Sequence, residues 1–152
     1  MASILFNKAK EDIIGGVIDL NADTLKLMLV DSTYTPDPDT ELVDAGGGSD
    51  ILDAEISVTG YTGGWGGAGR KTLTSKNFSN DSATDRAIFD STVDYTWSSL
   101  GAGATIVGAV LIKEGGANDT TSRPIVYIDT NDVSTNGGDI TLQLDANGIF
   151  RW

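Results

Sequence analysis

A glycine-rich stretch from Gly64 to Gly69 matches the G-x-G-x-x-G pattern of nucleotide-binding loops. Such a loop holds phosphate only when a strand precedes it and a helix follows it, because the phosphate binds at the N-terminus of that helix. Here Arg70 leads into a threonine-rich segment of alternating polarity, which is typical of a strand. We therefore predict no nucleotide site, and interpret the stretch as a mobile loop that presents Tyr61 and Trp65 as candidate interface residues.

One acidic segment has a spacing that suggests metal binding. Asp37, Asp39 and Glu41 stand at alternate positions, as the first oxygen ligands of a calcium loop do. Leu42 then occupies the place of the turn glycine, and Gly48 stands where a closing glutamate is needed. We therefore predict no metal centre and interpret the segment as a solvated acidic loop, with these three carboxylates as a weak calcium candidate.

The composition excludes several classes of chemistry. The chain of 152 residues has no cysteine and no histidine, which excludes a disulfide, a thiolate nucleophile, a Cys-type zinc site and a Ser-His-Asp triad. The formal net charge of -12 argues against binding to nucleic acid or to an anionic membrane. No pair of carboxylates stands out as an acid-base pair. We therefore predict a protein that is not an enzyme, with no catalytic residues and no cofactor.

The N-terminal segment has the pattern of an amphipathic helix. We expect a single domain over residues 1–152, with an N-terminal helix or arm in 1–16 and a β domain in 17–152. Ser3 can cap the helix, and two glycines after Ile14 can end it. Such a helix either covers the β core or docks on another subunit. Its apolar face, a candidate interface, consists of Leu5, Phe6, Ala9 and Ile13.

The rest of the chain is rich in Asp, Gly and Thr, which favour turns and strands. We expect a hairpin of residues 17–20 and 24–30, and a central strand at Thr105–Lys113, whose apolar run is of strand length. These patterns predict a mainly β fold, namely a single-domain antiparallel β-sandwich or barrel-like fold with a short N-terminal α-helix. Strand order, and with it the choice between sandwich and barrel, stays open.

The C-terminus is expected to form a further hairpin. The Asn147-Gly148 pair is a strong turn signal, and it would make residues 149–152 the return strand that pairs with the strand before the turn. Phe150 and Trp152 lie on this segment and are further candidate interface residues.

A series of segments along the chain has a recognisable order, namely Gly16–Val30, Tyr34–Asp37, Gly60–Gly64, Arg86–Asp90 leading to Trp97, Asn136–Leu142 and Asn147–Ile149. In these segments the chain resembles a group of small structural proteins of tailed bacteriophages. The resemblance runs over nearly the whole length, and its motifs are structural rather than catalytic.

The resemblance implies a virion structural protein. The first expectation is a capsid decoration or cement protein that binds the major capsid protein on the outer surface of the head as a homo-oligomer, a trimer, after synthesis in the host cytoplasm. The alternative is a minor tail or fibre component that recognises a host-surface glycan, with Tyr61, Trp65 and the acidic loop as its binding tip. The copy number per virion would distinguish the two.

Overall fold

A computed structural model describes residues 3–48 and 50–152. It is mainly antiparallel β with one short N-terminal helix, which confirms the predicted fold class. The elements in chain order are β1 Ser3–Leu5, α1 Asn7–Ile14, β2 Leu25–Asp31, β3 Lys71–Thr72, β4 Lys76–Asp81, β5 Arg86–Ser91, β6 Tyr95–Trp97, β7 Thr105–Lys113, a 3-10 turn Asp119–Thr121, β8 Arg123–Ser134, β9 Ile140–Leu142 and β10 Phe150–Arg151.

The strands form three sheets, and every pairing in them is antiparallel. A five-stranded sheet has the order β1-β8-β7-β2-β3, a three-stranded sheet the order β10-β5-β4, and a two-stranded sheet joins β6 to β9. The apolar strand β7 is central in the largest sheet, with the bounds predicted for it. Buried hydrophobic residues from all three sheets belong to one cluster, so the sheets share a core.

The N-terminal helix begins later than predicted. Ser3 does not cap it, because Ser3 lies in β1 and pairs with Ile128 at the edge of β8. Phe6 continues this contact by donating its backbone N–H to the carbonyl of Ile125, at 3.0 Å, and the helix starts only at Asn7. Strand pairing therefore uses the backbone groups that the predicted first turn of the helix would have needed.

The first predicted hairpin is wrong in one of its two strands. Residues 24–30 correspond to β2, whereas residues 17–20 form no strand. The backbone N–H groups of Val17 and Ile18 donate to the carbonyl of Asp12 at the end of the helix. The carboxylate of Asp19 accepts the backbone N–H groups of the two residues after Leu20. The segment is thus a compact turn between α1 and β2.

The prediction of a C-terminal hairpin is also wrong, because the last strand pairs with a different strand from the one predicted. A turn does form at Asn147-Gly148, where the N–H of Gly148 donates to the carbonyl of Asp145 at 2.8 Å. After the turn, however, β10 pairs with β5 and not with β9. Apolar contacts stabilise this pairing, since Phe150 pairs with Phe89 and both side chains are buried.

Within the described residues, no helix has the length and apolar character needed to cross a membrane.

Candidate functional site

The densest group of charged side chains is buried around Arg70. Its five N–H donors are all used: two on the carboxylate of Glu55, two on that of Asp119 and one on Glu114, at 2.7–3.2 Å. Burial alone would lower the pKa of Arg70, but the hydrogen bonds that it donates to Glu55 and Asp119 outweigh this effect and raise that pKa. Lys26 joins the cluster through Glu114, at 2.6 Å. With no guanidinium donor left for a ligand, the cluster is a structural ion network.

Tyr61 belongs to this cluster, and the prediction that it is exposed was wrong. Its ring is buried, its hydroxyl donates to Glu55 Oε1 at 2.8 Å, and the hydroxyl oxygen of Tyr61 accepts the backbone N–H of Leu29 at 3.1 Å. Burial, followed by the charge of Glu55, raises the pKa of Tyr61. Gly69 permits this packing, because a Cβ there would meet the Tyr61 ring at 2.7 Å. Tyr61 therefore cannot be part of an exposed binding tip in this structure.

The glycine loop is tied to the ion network. The backbone N–H of Gly64 donates to Glu55 Oε2 at 2.7 Å, and that of Gly66 to Glu114 Oε1 at 3.3 Å. Trp65 is 46% exposed, as predicted, but its indole N–H donates to the carbonyl of Gly115 at 2.8 Å. No helix follows the loop, whose chain continues into β3. These contacts favour a fixed loop with one half-exposed indole over the predicted mobile loop.

The weak calcium candidate does not form a cluster. Asp37 accepts the backbone N–H of Asp39 at 2.9 Å, and Asp39 accepts the side-chain amide of Asn7 at 2.6 Å. Glu41 is exposed. Among residues 3–48 and 50–152, no group of three or more acidic side chains is arranged to hold a metal ion. Asp37 and Asp39 instead hold the local backbone and the start of α1.

The predicted apolar face of the N-terminal segment faces the core of the same chain. Phe6 and Ala9 are buried, and Leu5 and Ile13 are partly buried against the core cluster. Of the two interpretations, the one in which the segment covers the β core is thus confirmed. These four residues offer no exposed face for another subunit.

An aromatic row crosses the three-stranded sheet on one face. Phe78 of β4 pairs with Phe89 of β5, and Phe89 pairs with Phe150 of β10. Ring centroids along the row are 5.1, 5.3 and 5.7 Å apart, the last distance joining Phe150 to Trp152. Phe89 and Phe150 are buried, whereas Phe78 and Trp152 at the two ends are each 49% exposed. Of the two predicted C-terminal interface residues, only Trp152 therefore reaches the surface.

The hairpin of β4 and β5 extends from the core. No residue between Asn77 and Ala87 is buried, and β4 has no partner on its outer side among the strands described. The three-stranded sheet and its hairpin turn carry no net charge in a chain whose net charge is -12. The balanced groups are Lys76, Arg86 and Arg151 against Asp81, Asp85 and Asp90.

A cleft of about 350 Å³ lies between the last part of β8 and β9. Its apolar wall includes Leu29, Trp97 and Ile106, and its polar wall includes Asp129 and Gln143. Asp129 and Gln143 are exposed, so the polar groups stand at the rim.

Three of these features could not be found in the sequence. The partners of Arg70 lie 15, 44 and 49 positions away, so no local pattern reveals the ion network. Phe78 lies in a polar segment, and its alignment with Phe89 depends on the register of the hairpin. The cleft depends on how β8 and β9 are placed in different sheets.

Comparison of the chain with protein-family models, with curated proteins and with solved structures found no match.

Proposed function

We propose that the protein is a bacteriophage virion structural protein that decorates the outer surface of the assembled head. It would bind the major capsid protein in many copies, as a homotrimer, and have no catalytic activity. The proposal starts from the resemblance of the sequence to small structural proteins of tailed phages. The observation that carries it furthest is the extended hairpin of β4 and β5 with half-exposed Phe78, in a three-stranded sheet that carries no net charge.

Three properties of the three-stranded sheet suit a protein-binding surface. Half-exposed aromatic rings at both ends of the row offer apolar area that a partner can bury. The outer edge of β4 offers backbone groups that pair with another strand. The balanced charge lets an otherwise acidic protein approach a partner, or further copies of itself, without local repulsion.

The proposed mechanism is mass action. A protein that binds the assembled shell and not its separated subunits stabilises the shell by its binding free energy. Contacts to two neighbouring capsid subunits would add an effective-concentration gain, because the second contact forms within one complex. The acidic segment between Lys26 and Arg70 would then remain on the solvent side.

Sedimentation with purified phage parts tests the proposal. Heads that lack the protein, and tails from the same phage, are each mixed with purified protein and sedimented through sucrose. We expect saturable binding to heads, and heads that resist heating better after binding. Binding to tails alone would support the tail or fibre alternative, and binding to neither would reject both virion roles.

A further inference from the structure

The cleft between β8 and β9 has the features of a peptide-binding groove. Its volume of about 350 Å³ lies at the lower end of the range for ligand sites in proteins, about 300–1,000 Å³. Its apolar lining consists of Val133 and Ile140, which are at least partly exposed, and of Leu29, Trp97, Ile106 and Leu142, which are buried. The groove therefore offers apolar contacts to a ligand along the length of a short strand.

The backbone beside the groove is incompletely paired. Strand β9 pairs with β6 on one side, and no strand among the described residues pairs with its other side. In β8, a bulge places Thr130–Asp132 opposite the single residue Val107, between the pairs Gly108–Asp129 and Ile106–Val133. Such bulges interrupt the ladder and leave backbone groups without a strand partner.

One side-chain atom at the bulge also lacks a partner. The hydroxyl oxygen of Thr130 is buried and makes no hydrogen bond within the chain. Thr130 lines the groove together with Asn131. Buried polar atoms in native proteins nearly always have a partner, so an unpaired one at the wall of an open cleft is consistent with a ligand that supplies it.

The stretch of chain that contains β9 and most of β8 is acidic, and one of its carboxylates lines the groove. The chain has no basic residue between Arg123 and Arg151. The same segment has four acidic residues, which are Asp129, Asp132, Asp139 and Asp145. Asp129 lines the groove itself and is exposed. A ligand with positive charge is thus favoured at the rim, and an acidic one is disfavoured.

We propose that this groove binds an extended, basic segment of a partner protein, which lies along β9 as an added strand. Alternate apolar side chains of the segment would contact Val133 and Ile140, while lysines or arginines would face Asp129 at the rim. Main-chain hydrogen bonds to β9 would give affinity, and the apolar wall and acidic rim would give specificity. The proposal does not depend on the protein's being part of a phage head.

The test uses a synthetic peptide and the full chain. An acetylated, amidated hexapeptide of alternating lysine and valine is titrated into isotope-labelled protein, and amide NMR signals are followed. We expect saturable shifts concentrated in Asn131, Val133 and residues 140–143. A peptide of the same charge with proline in place of the central valine should bind at least about tenfold more weakly, because proline removes a strand donor.

A matched pair of variants distinguishes binding of the peptide at the groove from non-specific attraction of a basic peptide to an acidic protein. Asp129→Lys should weaken binding about tenfold, because it places a like charge at the rim. Glu41→Lys makes the same change in charge at an exposed residue near the other end of β8 and should leave binding unchanged. Melting curves of both variants show whether each is folded.

Four outcomes of the peptide titrations would overturn the proposal. These are absence of saturable binding at millimolar peptide, equal binding of the proline peptide, equal weakening by both substitutions, and shifts centred on residues 31–55. Shifts of the groove signals with protein concentration alone would show that a second copy is the occupant, which would also overturn it. None of these outcomes affects binding to phage heads, so the two proposals fail separately.

Discussion

Arg70 and Glu55 meet through two parallel hydrogen bonds, from Nε to Oε1 at 2.9 Å and from Nη2 to Oε2 at 2.7 Å, with both side chains shielded from solvent. Asp119 forms a second two-bond contact with the same guanidinium. The arrangement joins the glycine loop to the segment before β8 and to the segment after β2. One arginine thereby fixes three parts of the chain that are far apart in sequence.

Removing this arginine should destabilise the fold strongly. Arg70→Met would leave the buried carboxylates of Glu55 and Asp119 without their partner, and breaking a buried ion pair on one side costs about 3–5 kcal/mol. Urea unfolding measures the change in the free energy of unfolding. Arg86→Met, at an exposed position, is the matched control and should change it by less than about 0.5 kcal/mol. Equal effects of the two substitutions would contradict the structural role given to Arg70.

A glycine in the central strand is needed for close packing. A Cβ on Gly108 would lie 2.5 Å from the ring of Tyr127 and 2.7 Å from the carbonyl of Ile128. Gly108→Ala should therefore cost about 1–3 kcal/mol through overpacking. In Gly116→Ala the new Cβ meets no atom within 4 Å, so the melting temperature should stay the same or rise slightly. If Gly108→Ala had the same melting temperature as the natural chain, the backbone at Gly108 would not pack as closely on Tyr127 as described.

The ion pair between Asp23 and Lys113, at 2.5 Å, should make stability depend on pH. Burial alone would raise the pKa of Asp23, but hydrogen bonds from Lys113 and from the backbone of Asp19 outweigh it and lower that pKa below 3.8. A lowered pKa means that the charged carboxylate stabilises the fold above its unfolded pKa, and that this contribution is lost as the pH falls through the lowered value.

The substitution Asp23→Asn measures this contribution. At neutral pH the variant should be less stable by up to about 1 kcal/mol, since the pair is partly exposed. The difference in melting temperature from the natural chain should shrink as the pH falls below the lowered pKa of Asp23. A difference that stays constant, or grows, with falling pH would show that the carboxylate acts through something other than its charge.

Local patterns predicted those parts of the fold that depend on nearby residues. The apolar run from Ile106 to Ile112 gave β7 correctly, and its burial on both faces follows from its central place. Prediction failed where a distant strand competed with a local signal. Ser3 could cap a helix, but the edge of β8 was available to pair with it. The turn at Asn147-Gly148 is present, but the strand after it, β10, pairs with β5 through apolar contacts and not with β9.

The surfaces were harder to predict than the strands. Tyr61 stands in a glycine-rich segment that looks exposed, yet a carboxylate and a backbone N–H inside the protein satisfy its hydroxyl. Phe78 stands among polar residues, and only the register with Phe89 shows that it ends an aromatic row. The burial of Tyr61 and the position of Phe78 both depend on contacts with residues far away in sequence, which no local pattern reveals.

Replacing the exposed ring of Phe78 should weaken the proposed binding to heads without unfolding the protein. Phe78→Ser removes a half-exposed side chain at the outer edge of β4, so we expect at least about tenfold weaker binding, the loss typical of an interface aromatic, and only a modest fall in melting temperature from the lost ring contact with Phe89. Ile14→Ser removes a side chain that is 83% exposed at the end of α1 and serves as the control. Co-sedimentation at several protein concentrations gives both affinities. Equal weakening by both substitutions would mean that the hairpin is not the contact.

The central proposal, that the protein decorates phage heads, is tested most directly by counting bound copies. Purified protein is added in excess to heads that lack it, the heads are sedimented, and the ratio of this protein to the major capsid protein is measured from stained bands. Decoration predicts saturation at a fixed, simple ratio to the capsid protein, with many copies per head. No binding, or saturation at only a few copies per particle, would contradict it.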